Sequence, residues 1–559
     1  MPDKNTRIRL LISLLICLAA LGTFPPASAE PARSTHTVTT TLDSGAGSLR
    51  QAIIDANSSG GKDYIYFNIP TSDPGYNAGA GVFSLNVSII LPSLDDPNGV
   101  VIDGTTQPGY VSGQKPKIIV SGYGLPSPGS IFTISSGSNG NTIRGLMLGG
   151  VAADILTING DNNLIEKNEI RYSSTGNGIT INSSASGNFI YTNYIFGNLL
   201  NGVHLISSSD NVLWRNVIGL TPSWYISPDP NGHSGILCVV CSNNQILENT
   251  ISGNTIHGIY MSNAGGNLIK GNVVGLSENG LQDKGNGQYG IQLGDNCVAN
   301  NVFENWASGN GKNGIHINGA TTMNNHVELN AVGYAFDGSF IPNAEHGIGI
   351  YDGAYGNYIG KFGDTTRGNI VGGNGWSGVV IVNSATGLNY LYGNKILYNQ
   401  YYGVHVNNSP NNYIGFNKIG RNGVHGTHAG VRIEGAASIN NAITTNSIYF
   451  NTGLGIELVS GGNGMLAEPL LYSATCTSVT GTTCAGCTVQ IYSDREYEGE
   501  IYEDKVTADS FGNFTYSNPS HIFRGPNITA IAFSGSNTSP FALPVVGACQ
   551  QFYLPMIFR

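Results

Sequence analysis

Residues 188–206 read Asn-Phe-Ile-Tyr-Thr-Asn-Tyr-Ile-Phe-Gly-Asn-Leu-Leu-Asn-Gly-Val-His-Leu-Ile, and variants of this stretch recur along the chain. The first part follows the pattern Asn-x-(Ile/Leu/Val)-x-x-Asn-x-(apolar), where x is any residue. The last part follows the pattern Gly-(Ile/Val)-x-(apolar). In both patterns apolar residues alternate with others, which is the periodicity of β-strands. Repetition of this kind indicates stacked structural units.

Copies of both patterns fill the middle of the chain. Clear copies of the asparagine pattern begin at Asn163, Asn188, Asn211, Asn244, Asn267, Asn325, Asn389, Asn412 and Asn441, and weaker ones at Asn141, Asn300 and Asn357. The glycine pattern begins at Gly178, Gly202, Gly235, Gly258, Gly290, Gly314, Gly347, Gly378, Gly403, Gly430 and Gly455. Each repeat predicts a coil of three short strands, so the chain is predicted to be an all-β, right-handed parallel β-helix, a pectin-lyase-like solenoid.

The asparagine columns are expected to be structural. Asparagine accepts left-handed turn conformations, and its side chain can hydrogen-bond to equivalent residues in the coils above and below. Stacked coils would place these residues about 4.8 Å apart.

The N-terminal region differs from the repeats. A basic start, an apolar run and Ala27-Ser28-Ala29 predict a secretory signal peptide over residues 1–29 and hence a secreted or cell-surface protein. Residues 30–63 are expected to form a cap in which a helix follows Ser48 and buries one apolar face, made of Leu49, Ala52, Ile53 and Ala56. The solenoid is then expected over residues 64–464.

The C-terminal region has its own pattern. After Gly464 the repeat stops, and longer strands predicted at 488–492, 505–508, 513–516 and 527–533 are typical of a small Ig-like β-sandwich over residues 465–548. Residues 549–559 form a tail too short to span a membrane. Four cysteines cluster here, for which disulfides are favoured over a zinc site while the pairing stays open: Cys476, Cys484, Cys487 and Cys549.

Three cysteines belong to the repeats. Aligning the coils places Cys241 and Cys297 in one column but two coil steps apart, about 9.6 Å, which exceeds the reach of a disulfide. Both are therefore predicted to be unpaired. Cys238 is predicted to point into the core without a partner.

Two segments resemble a known family. Gly47-Ser48-Leu49-Arg50-Gln51-Ala52 resembles the N-terminal Cys-Ser-Leu-Arg-Glu-Ala segment of secreted bacterial right-handed parallel β-helix repeat proteins, and residues 102–110 (Ile-Asp-Gly-Thr-Thr-Gln-Pro-Gly-Tyr) are similar to stretches in the same proteins. The resemblance covers nearly the whole mature chain and implies the architecture. Gly47 and Gln51 replace the Cys and Glu of that segment, so the resemblance implies no catalytic residue.

Composition narrows the range of partners. The chain has a formal net charge of −10, and charged residues make up 11% of it without a basic stripe, which argues against nucleic acid. The sequence predicts no transmembrane span in the mature chain, no metal, no cofactor and a monomer. A polysaccharide or cell-surface glycan is the expected partner.

The third residues of the glycine pattern are predicted to point outward in one column. In chain order they are Thr180, His204, Leu237, Tyr260, Gln292, His316, Gly349, Val380, His405, Arg432 and Glu457. The next outward column includes Asn182, Asn318, Tyr351, Asn407 and Glu434. Insertions before the glycine pattern carry aromatic residues that are expected to wall this side of the solenoid: Trp224, Tyr225, Tyr289, Tyr334, Phe336, Phe340 and Trp376.

A polar column beside aromatic walls suits a polysaccharide, because aromatic faces stack on sugars while polar groups bond to hydroxyls. The candidate carbohydrate-binding residues are His204, Tyr260, Gln292, His316, Tyr351, Asn407, Trp224 and Trp376. The alternative is that the outward residues are simply solvated and the loop aromatics cover small cores of their own.

The densest group of ionisable residues lies in the last coils. Candidate catalytic residues there are His405, Arg432, Glu434, Glu457, His425 and His428. A lyase needs a base and a group that neutralises a uronate, and a hydrolase needs two acids. The alternative is a surface ion pair of Arg432 with Glu457. The Asn-Thr-Asp segment of polygalacturonases is missing.

Three functions remain open. The favoured one is a secreted or surface protein that binds polysaccharide or acts as an adhesin-like interaction protein, without catalysis. The second is a polysaccharide lyase, epimerase or glycoside hydrolase, and the third is a structural envelope component.

Overall fold

The computed structural model describes residues 33–125, 129–223, 225, 228–384 and 388–547. The predicted signal peptide, Trp224, Cys549 and the predicted tail lie outside the described residues.

The repeats form three long sheets, because each coil contributes one short strand to each of them. Sheet A contains fifteen strands: Thr35–Val38, Asp63–Phe67, Val100–Asp103, Thr142–Arg144, Leu164–Glu166, Phe189–Tyr191, Val212–Trp214, Gln245–Leu247, Leu268–Lys270, Asn301–Phe303, His326–Glu328, Tyr358–Ile359, Tyr390–Tyr392, Tyr413–Gly415 and Ala442–Thr444.

Sheet B also contains fifteen strands: Tyr76–Asn77, Val82–Asn86, Ile118–Ser121, Leu146–Val151, Glu169–Ser173, Tyr194–Phe196, Val217–Ile218, Thr250–Ile251, Val273–Val274, Trp306–Ala307, Ala331–Val332, Ile370–Gly372, Lys395–Leu397, Lys418–Gly420 and Ser447–Tyr449. All pairs in sheets A and B are parallel except the hairpin formed by the first two strands of sheet B.

Sheet C contains thirteen parallel strands: Phe132–Ile134, Leu156–Ile158, Ile179–Ile181, Val203–Ile206, Ile236–Val239, Ile259–Ser262, Ile291–Leu293, Ile315–Asn318, Ile348–Tyr351, Val379–Val382, Val404–Asn407, Val431–Glu434 and Ile456–Val459. Short 3₁₀ helices lie at Gly104–Thr106, Thr365–Arg367 and Gly462–Met465.

Inward side chains form columns of like residues that fill the solenoid. In sheet A, Ile165, Ile190, Leu213 and Ile246 occupy equivalent positions on successive strands and are fully buried. Burying an aliphatic side chain of this size contributes about 1.5–3 kcal/mol.

The predicted fold class, a right-handed parallel β-helix with an N-terminal cap helix and a small C-terminal β-sandwich, is confirmed.

Asparagine side chains link the coils at every turn. Asn272, for example, donates from its backbone N–H and from Nδ2 to Oδ1 of Asn305 in the next coil, both at 2.9 Å. Its Nδ2 also donates to the carbonyl of Ile246 at 2.8 Å. Since the amide group is fully buried, these bonds satisfy polar groups that would otherwise be costly.

Such ladders run along all three corners of the coil. The first contains Asn141, Asn163, Asn188, Asn211, Asn244, Asn267, Asn300, Asn325, Asn357, Asn389, Asn412 and Asn441, and the second contains Asn168, Asn193, Asn216, Asn249, Asn272, Asn305, Asn330, Asn369, Asn394, Asn417 and Asn446. The third, which sequence analysis missed, contains Asn198, Asn231, Asn254, Asn286, Asn310, Asn343, Asn374, Asn399, Asn422 and Asn451.

The structural role predicted for the asparagines is confirmed, but one reason given for it is wrong. The left-handed backbone conformation falls on the residue before many of the ladder asparagines, such as Lys167 (φ 55°) and Thr192 (φ 52°), and not on Asn168 or Asn193 themselves. Asparagine is needed at these positions for its amide group, which donates and accepts at once.

The glycine of the Gly-(Ile/Val) pattern is required because atoms of the next coil approach its Cα too closely for a side chain. A Cβ on Gly235 would lie 2.8 Å from Nδ2 of Asn254 and 2.9 Å from the carbonyl oxygen of Gly258 in the next coil. A larger residue would therefore push the third ladder out of register.

The N-terminal end is covered by the predicted helix, Leu49–Ser58. The Ser48 hydroxyl accepts a hydrogen bond from the backbone N–H of Gln51 at 3.2 Å, which caps the first turn. Leu49, Ala52, Ile53 and Ala56 are buried as predicted. Arg50 fixes the helix further by an ion pair with Asp43 at 2.6 Å.

The C-terminal region forms two small sheets. The first contains Leu470–Ala474, Ser478–Thr482 and Asn513–Ser517. The second contains Ile501–Thr507, Thr488–Asp494, Asn527–Ser534 and Asn537–Thr538, with Val545–Val546 also paired to Asn527–Ser534. The strand predicted at 505–508 begins earlier, at Ile501, and the other three lie where they were expected.

This C-terminal region closes the open end of the solenoid with side-chain acceptors. Oε2 of Glu498 accepts from the backbone N–H of Asn451 at 3.0 Å and from its Nδ2 at 3.2 Å, in place of a further ladder asparagine. Similarly, the Tyr492 hydroxyl accepts from the backbone N–H of Thr445 at 3.0 Å. At these positions the last coil therefore has no unpaired backbone N–H groups at the edge of its sheet.

The cysteines correct one prediction. Cys238 and Cys241 form a disulfide with Cα atoms 5.8 Å apart, so the expectation that both are unpaired is wrong: the partner lies within the same turn and not in a neighbouring coil. Cys297 is free and buried, as predicted. Cys484 and Cys487 form another disulfide, and Cys476 is also disulfide-bonded.

None of the helices within the described ranges is long and apolar enough to cross a membrane.

Replacing a ladder asparagine should destabilise the solenoid strongly. Asn272→Ala would remove the side-chain donor to Oδ1 of Asn305 and to the carbonyl of Ile246, and it would remove the oxygen that accepts from the backbone N–H and Nδ2 of Asn249. Each unsatisfied buried group costs about 1–3 kcal/mol, so the free energy of unfolding should fall by about 3 kcal/mol or more in denaturant titrations. Asn301→Ala, on the outer face of sheet A, is the control and should cost less than about 1 kcal/mol. Equal losses would contradict the ladder's role.

The carboxyl group of Glu498 should make the protein less stable as the pH rises. Burial raises the pKa of Glu498 from 4.5 to about 7. Because the folded state then holds this proton more tightly than the unfolded chain, the free energy of unfolding should fall between about pH 4.5 and 7, by up to about 3 kcal/mol. Glu498→Gln keeps the acceptor oxygen and should remove this contribution. Urea titrations of both proteins across this range test it, and parallel pH profiles would show that the carboxyl group is not responsible.

Candidate functional site

The outer face of sheet C carries the predicted column in register. Thr180, His204, Leu237, Tyr260, Gln292, His316, Gly349, Val380, His405, Arg432 and Glu457 occupy equivalent positions on successive strands. The neighbouring column aligns Asn318, Tyr351, Asn407 and Glu434. The predicted alignment is confirmed, although Thr180, His316 and Val380 are covered by their neighbours and buried.

The aromatic walls lie elsewhere than predicted. Four of the loop aromatics pack on the sheet B side: Tyr225 against Phe196 (5.6 Å between ring centroids), Phe336 against Trp306 (4.6 Å), and Tyr334 and Phe340 against each other (5.0 Å), with Phe340 also near Tyr398. These insertions follow sheet B in the chain and fold back over it. Only Tyr289 and Trp376 of the described loop aromatics flank sheet C.

Four rings from successive coils stack beside the column, and we call them the ring stack: His257, Tyr289, His316 and Tyr351. Their centroids are 5.4, 4.0 and 4.8 Å apart, with interplanar angles of 3°, 12° and 27°. His257 and Tyr289 occupy the turn position directly before the glycine pattern, where the coil spacing brings like residues to stacking distance.

Polar groups border the ring stack. Nδ2 of Asn313 lies 3.1 Å from Nδ1 of His316, and Nε2 of Gln292 donates to Oδ1 of Asn318 at 3.0 Å. Gly349 makes this arrangement possible, because a Cβ there would lie 2.4 Å from the Tyr351 ring and 2.6 Å from the Asn313 amide.

Burial disfavours the charged form of the histidines on this face. Burial, together with the neighbouring His257 and Lys312, lowers the pKa of His316 to about 3. Burial also lowers the pKa of His257 to about 4 and that of His346 to about 3. A neutral imidazole offers one N–H donor and one nitrogen acceptor, which matches the two functions of a hydroxyl group.

The structure brings four predicted catalytic residues together. Nε2 of His405 lies 3.0 Å from Oε2 of Glu434, the same oxygen that Nε of Arg432 reaches at 3.0 Å. Nη1 of Arg432 lies 2.9 Å from Oε2 of Glu457. The guanidinium also lies over the Tyr402 ring, 5.2 Å from its centroid.

The charges of this group are largely satisfied internally. Arg432 is engaged by two carboxylates, so it is not a free cation for a uronate. The hydrogen bond from Arg432 lowers the pKa of Glu434, which opposes the protonated form that a general acid requires. Burial lowers the pKa of His405, partly offset by the hydrogen bond to Glu434.

The two remaining catalytic candidates lie at the margin. The His428 ring lies 4.7 Å from Tyr401 and 4.9 Å from Tyr402, between centroids. His425 is exposed in the same turn, and its backbone N–H donates to the carbonyl of Gln400 at 3.0 Å.

The predicted binding residues are only partly brought together. Gln292, His316 and Tyr351 lie in or beside the ring stack, and Tyr260 lies 5.4 Å from His257. His204 lies two coils before Tyr260, and Asn407 lies beside His405. Trp376 is 45% exposed and packs edge-on against His346.

Sequence analysis missed the histidines of the turn position, His257 and His346, and also Tyr402. The position directly before the glycine of each repeat could have revealed them, because it is often aromatic or polar. In the coils of the candidate site this position is occupied by His257, Tyr289, Asn313, His346 and Tyr402.

Comparisons with known proteins agree with the architecture. Residues 131–282 match the family model of the right-handed β-helix region. No curated protein matches the sequence significantly.

Several solved structures are similar in fold. The A-module of the Azotobacter vinelandii mannuronan C-5 epimerase AlgE6 is 14% identical, with 76% of this chain and 98% of that chain covered and a TM-score of 0.40. The Streptococcus pneumoniae surface protein and adhesin PfbA is 11% identical, with 74% and 95% covered and a TM-score of 0.32. The periplasmic alginate epimerase AlgG is 14% identical, with 61% and 76% covered and a TM-score of 0.32. At these identities the similarity concerns the fold alone.

The histidines of the ring stack should stay neutral at unusually low pH. With pKa values near 3 and 4, His316 and His257 should remain uncharged at pH 5, where an exposed histidine with a pKa of about 6.5 is protonated. Nitrogen chemical shifts of isotope-labelled histidine, followed from pH 7.5 to 4.5, measure this directly, and His257→Gln and His316→Gln assign the signals. Protonation of both rings above pH 6 would contradict the burial described here.

Proposed function

We propose that this protein binds an extended, uncharged polysaccharide along the outer face of sheet C and acts outside the cell as a non-catalytic interaction protein. The observation that carries the proposal is the ring stack with its bordering amides. The N-terminal sequence supports the location, since it has the pattern of a secretory signal peptide.

The geometry of the rings favours hydrogen bonding to sugar hydroxyls. Within the stack most ring faces are taken by the neighbouring rings, so the ring edges, with their imidazole nitrogens and tyrosine hydroxyls, remain for a ligand. His257 Nδ1 has no hydrogen-bond partner among the described residues.

The polar face is long enough for several sugar units. From the strand Ile259–Ser262 to the strand Ile456–Val459 it crosses eight coils, about 34 Å at the strand spacing. Neutral histidines, tyrosines and amides line the first part, and the group around Arg432 lines the last part.

The charges favour an uncharged chain. The histidines are neutral, Arg432 is paired with Glu434 and Glu457, and Lys312, which lies above the Tyr289 ring, interacts with the nearby Glu345. The whole sequence carries a net charge of −10, which disfavours approach of a polyanion.

A second candidate function is polysaccharide cleavage or epimerisation at the group formed by His405, Arg432, Glu434 and Glu457. The observation in its favour is His405, because burial lowers its pKa and so favours the neutral form that a general base requires. The paired guanidinium and the ionised Glu434 weigh against it.

Binding to a polysaccharide panel tests the proposal. Titration calorimetry of the full chain with soluble β-glucan, xylan and galactomannan should show binding, whereas alginate and polygalacturonate should bind at least about tenfold more weakly. Tyr289→Ala should weaken binding about tenfold, because it removes the centre of the ring stack. Tyr358→Ala, which breaks a stack of the same kind on sheet A (Tyr358 and Tyr390, 4.8 Å), is the matched control and should bind normally.

Other outcomes would overturn the proposal. Preferred binding of acidic polymers would contradict the charge argument, and equal effects of the two tyrosine variants would place the site elsewhere. New reducing ends or unsaturated products after incubation would show an enzyme, and loss of those products in His405→Ala would place catalysis in the last coils.

A further inference from the structure

A pocket of about 280 Å³ lies on the sheet B side of the solenoid, away from the ring stack. One wall is the loop from Asp103 to Pro116, which includes most of the segment Ile102 to Tyr110 and which the proposed function does not use. The lining residues are Tyr110, Ser112, Gln114 and Pro116 from this loop, and Lys167, Glu169, Thr192 and Tyr194 from two successive coils.

The loop is held in place by buried contacts, so the wall is a fixed part of the fold. The Gln107 side chain exchanges two hydrogen bonds with the backbone of Ile69, both at 2.9 Å. Asp103, at the start of the loop, is ion-paired with Arg144 at 2.5 Å. The Asp103 carboxylate also accepts from the backbone N–H of Thr105 at 3.0 Å.

The acidic and basic side chains at the pocket differ in how far their charges are compensated by neighbours. Glu169 is almost fully buried, and its carboxylate is compensated by Arg171 at 2.8 Å and by the Tyr225 hydroxyl at 2.5 Å. Lys167 stands at the turn with φ 55°, is exposed, and has no ion-pair partner within the described ranges. Lys167 therefore presents an exposed positive charge at the pocket, while the carboxylate of Glu278 acts on the lining residue Tyr194.

Thr192 provides a further polar group beside the pocket. Its hydroxyl oxygen is buried beside the pocket and has no hydrogen-bond partner among the described residues. A buried polar atom without a partner is uncommon, and a bound ligand or an ordered water satisfies it.

We infer that this pocket is a second binding site, which takes a carboxylate-bearing sugar unit such as a uronic acid. Lys167 pairs with the carboxylate, while Thr192, Gln114 and Ser112 hydrogen-bond to hydroxyls. The apolar surfaces of Tyr110, Tyr194 and Pro116 contact the sugar ring. The volume fits one sugar ring and not a long chain, so this site differs in size and charge preference from the face of sheet C. It stands independently of the proposed function.

Titration of the full chain with single sugars tests this inference. Glucuronate and galacturonate should bind, glucose and galactose should bind at least about tenfold more weakly, and the affinity for the acids should fall as the salt concentration is raised. Lys167→Met should reduce the affinity for the acids about tenfold. Lys395→Met, an exposed lysine on sheet B eight coils further along, is the matched control and should have no effect.

Two further variants separate this site from the rest of the molecule. Thr192→Val removes the unpartnered hydroxyl and should weaken binding of the acids severalfold while leaving the melting temperature unchanged. Tyr289→Ala, in the ring stack, should leave the affinity for the acids unchanged. Equal affinity for acidic and neutral sugars, full affinity in Lys167→Met, or absence of binding by all four sugars would overturn the inference.

Discussion

The hydrogen bond from one asparagine side chain to the same side chain in the next coil is the interaction on which the rest of this structure depends. The chain turns three times per coil, and each turn would bury backbone groups that no strand can satisfy. An asparagine at each turn solves this because its amide both donates and accepts. Because the turns are satisfied by these asparagines, many outward side chains of the strands are not needed for this purpose and can form binding surfaces.

Much of the fold could be predicted because its pattern is local. Alternating apolar residues between asparagines define strands, and their common spacing defines the register, so the column from Thr180 to Glu457 follows from sequence. The third ladder was missed because insertions of different length separate its asparagines from the strand before them. The Cys238–Cys241 disulfide was missed because the argument considered only neighbours along the stacking direction.

The candidate site was less predictable for two physical reasons. First, loop length does not encode the direction in which a loop folds, and four loop aromatics cover sheet B where sheet C was expected. Secondly, whether a charged residue can bind a ligand depends on its neighbours in the fold. The sequence made Arg432 a candidate for binding a uronate, but in the structure it forms ion pairs with Glu434 and Glu457. The ring stack arises from a turn position, which strand periodicity does not describe.

The ladders also have a direction. Within each ladder the bond between asparagine side chains runs from Nδ2 of one residue to Oδ1 of the next towards the C-terminal end. The first coil therefore offers acceptors, such as Oδ1 of Asn141 to the backbone of Val100, and the last coil needs them from Glu498. A whole coil can therefore be inserted or deleted between the two caps without changing either one. Duplication of the gene segment that encodes one coil would lengthen the solenoid by one strand spacing. The length of its binding faces can therefore change readily during evolution.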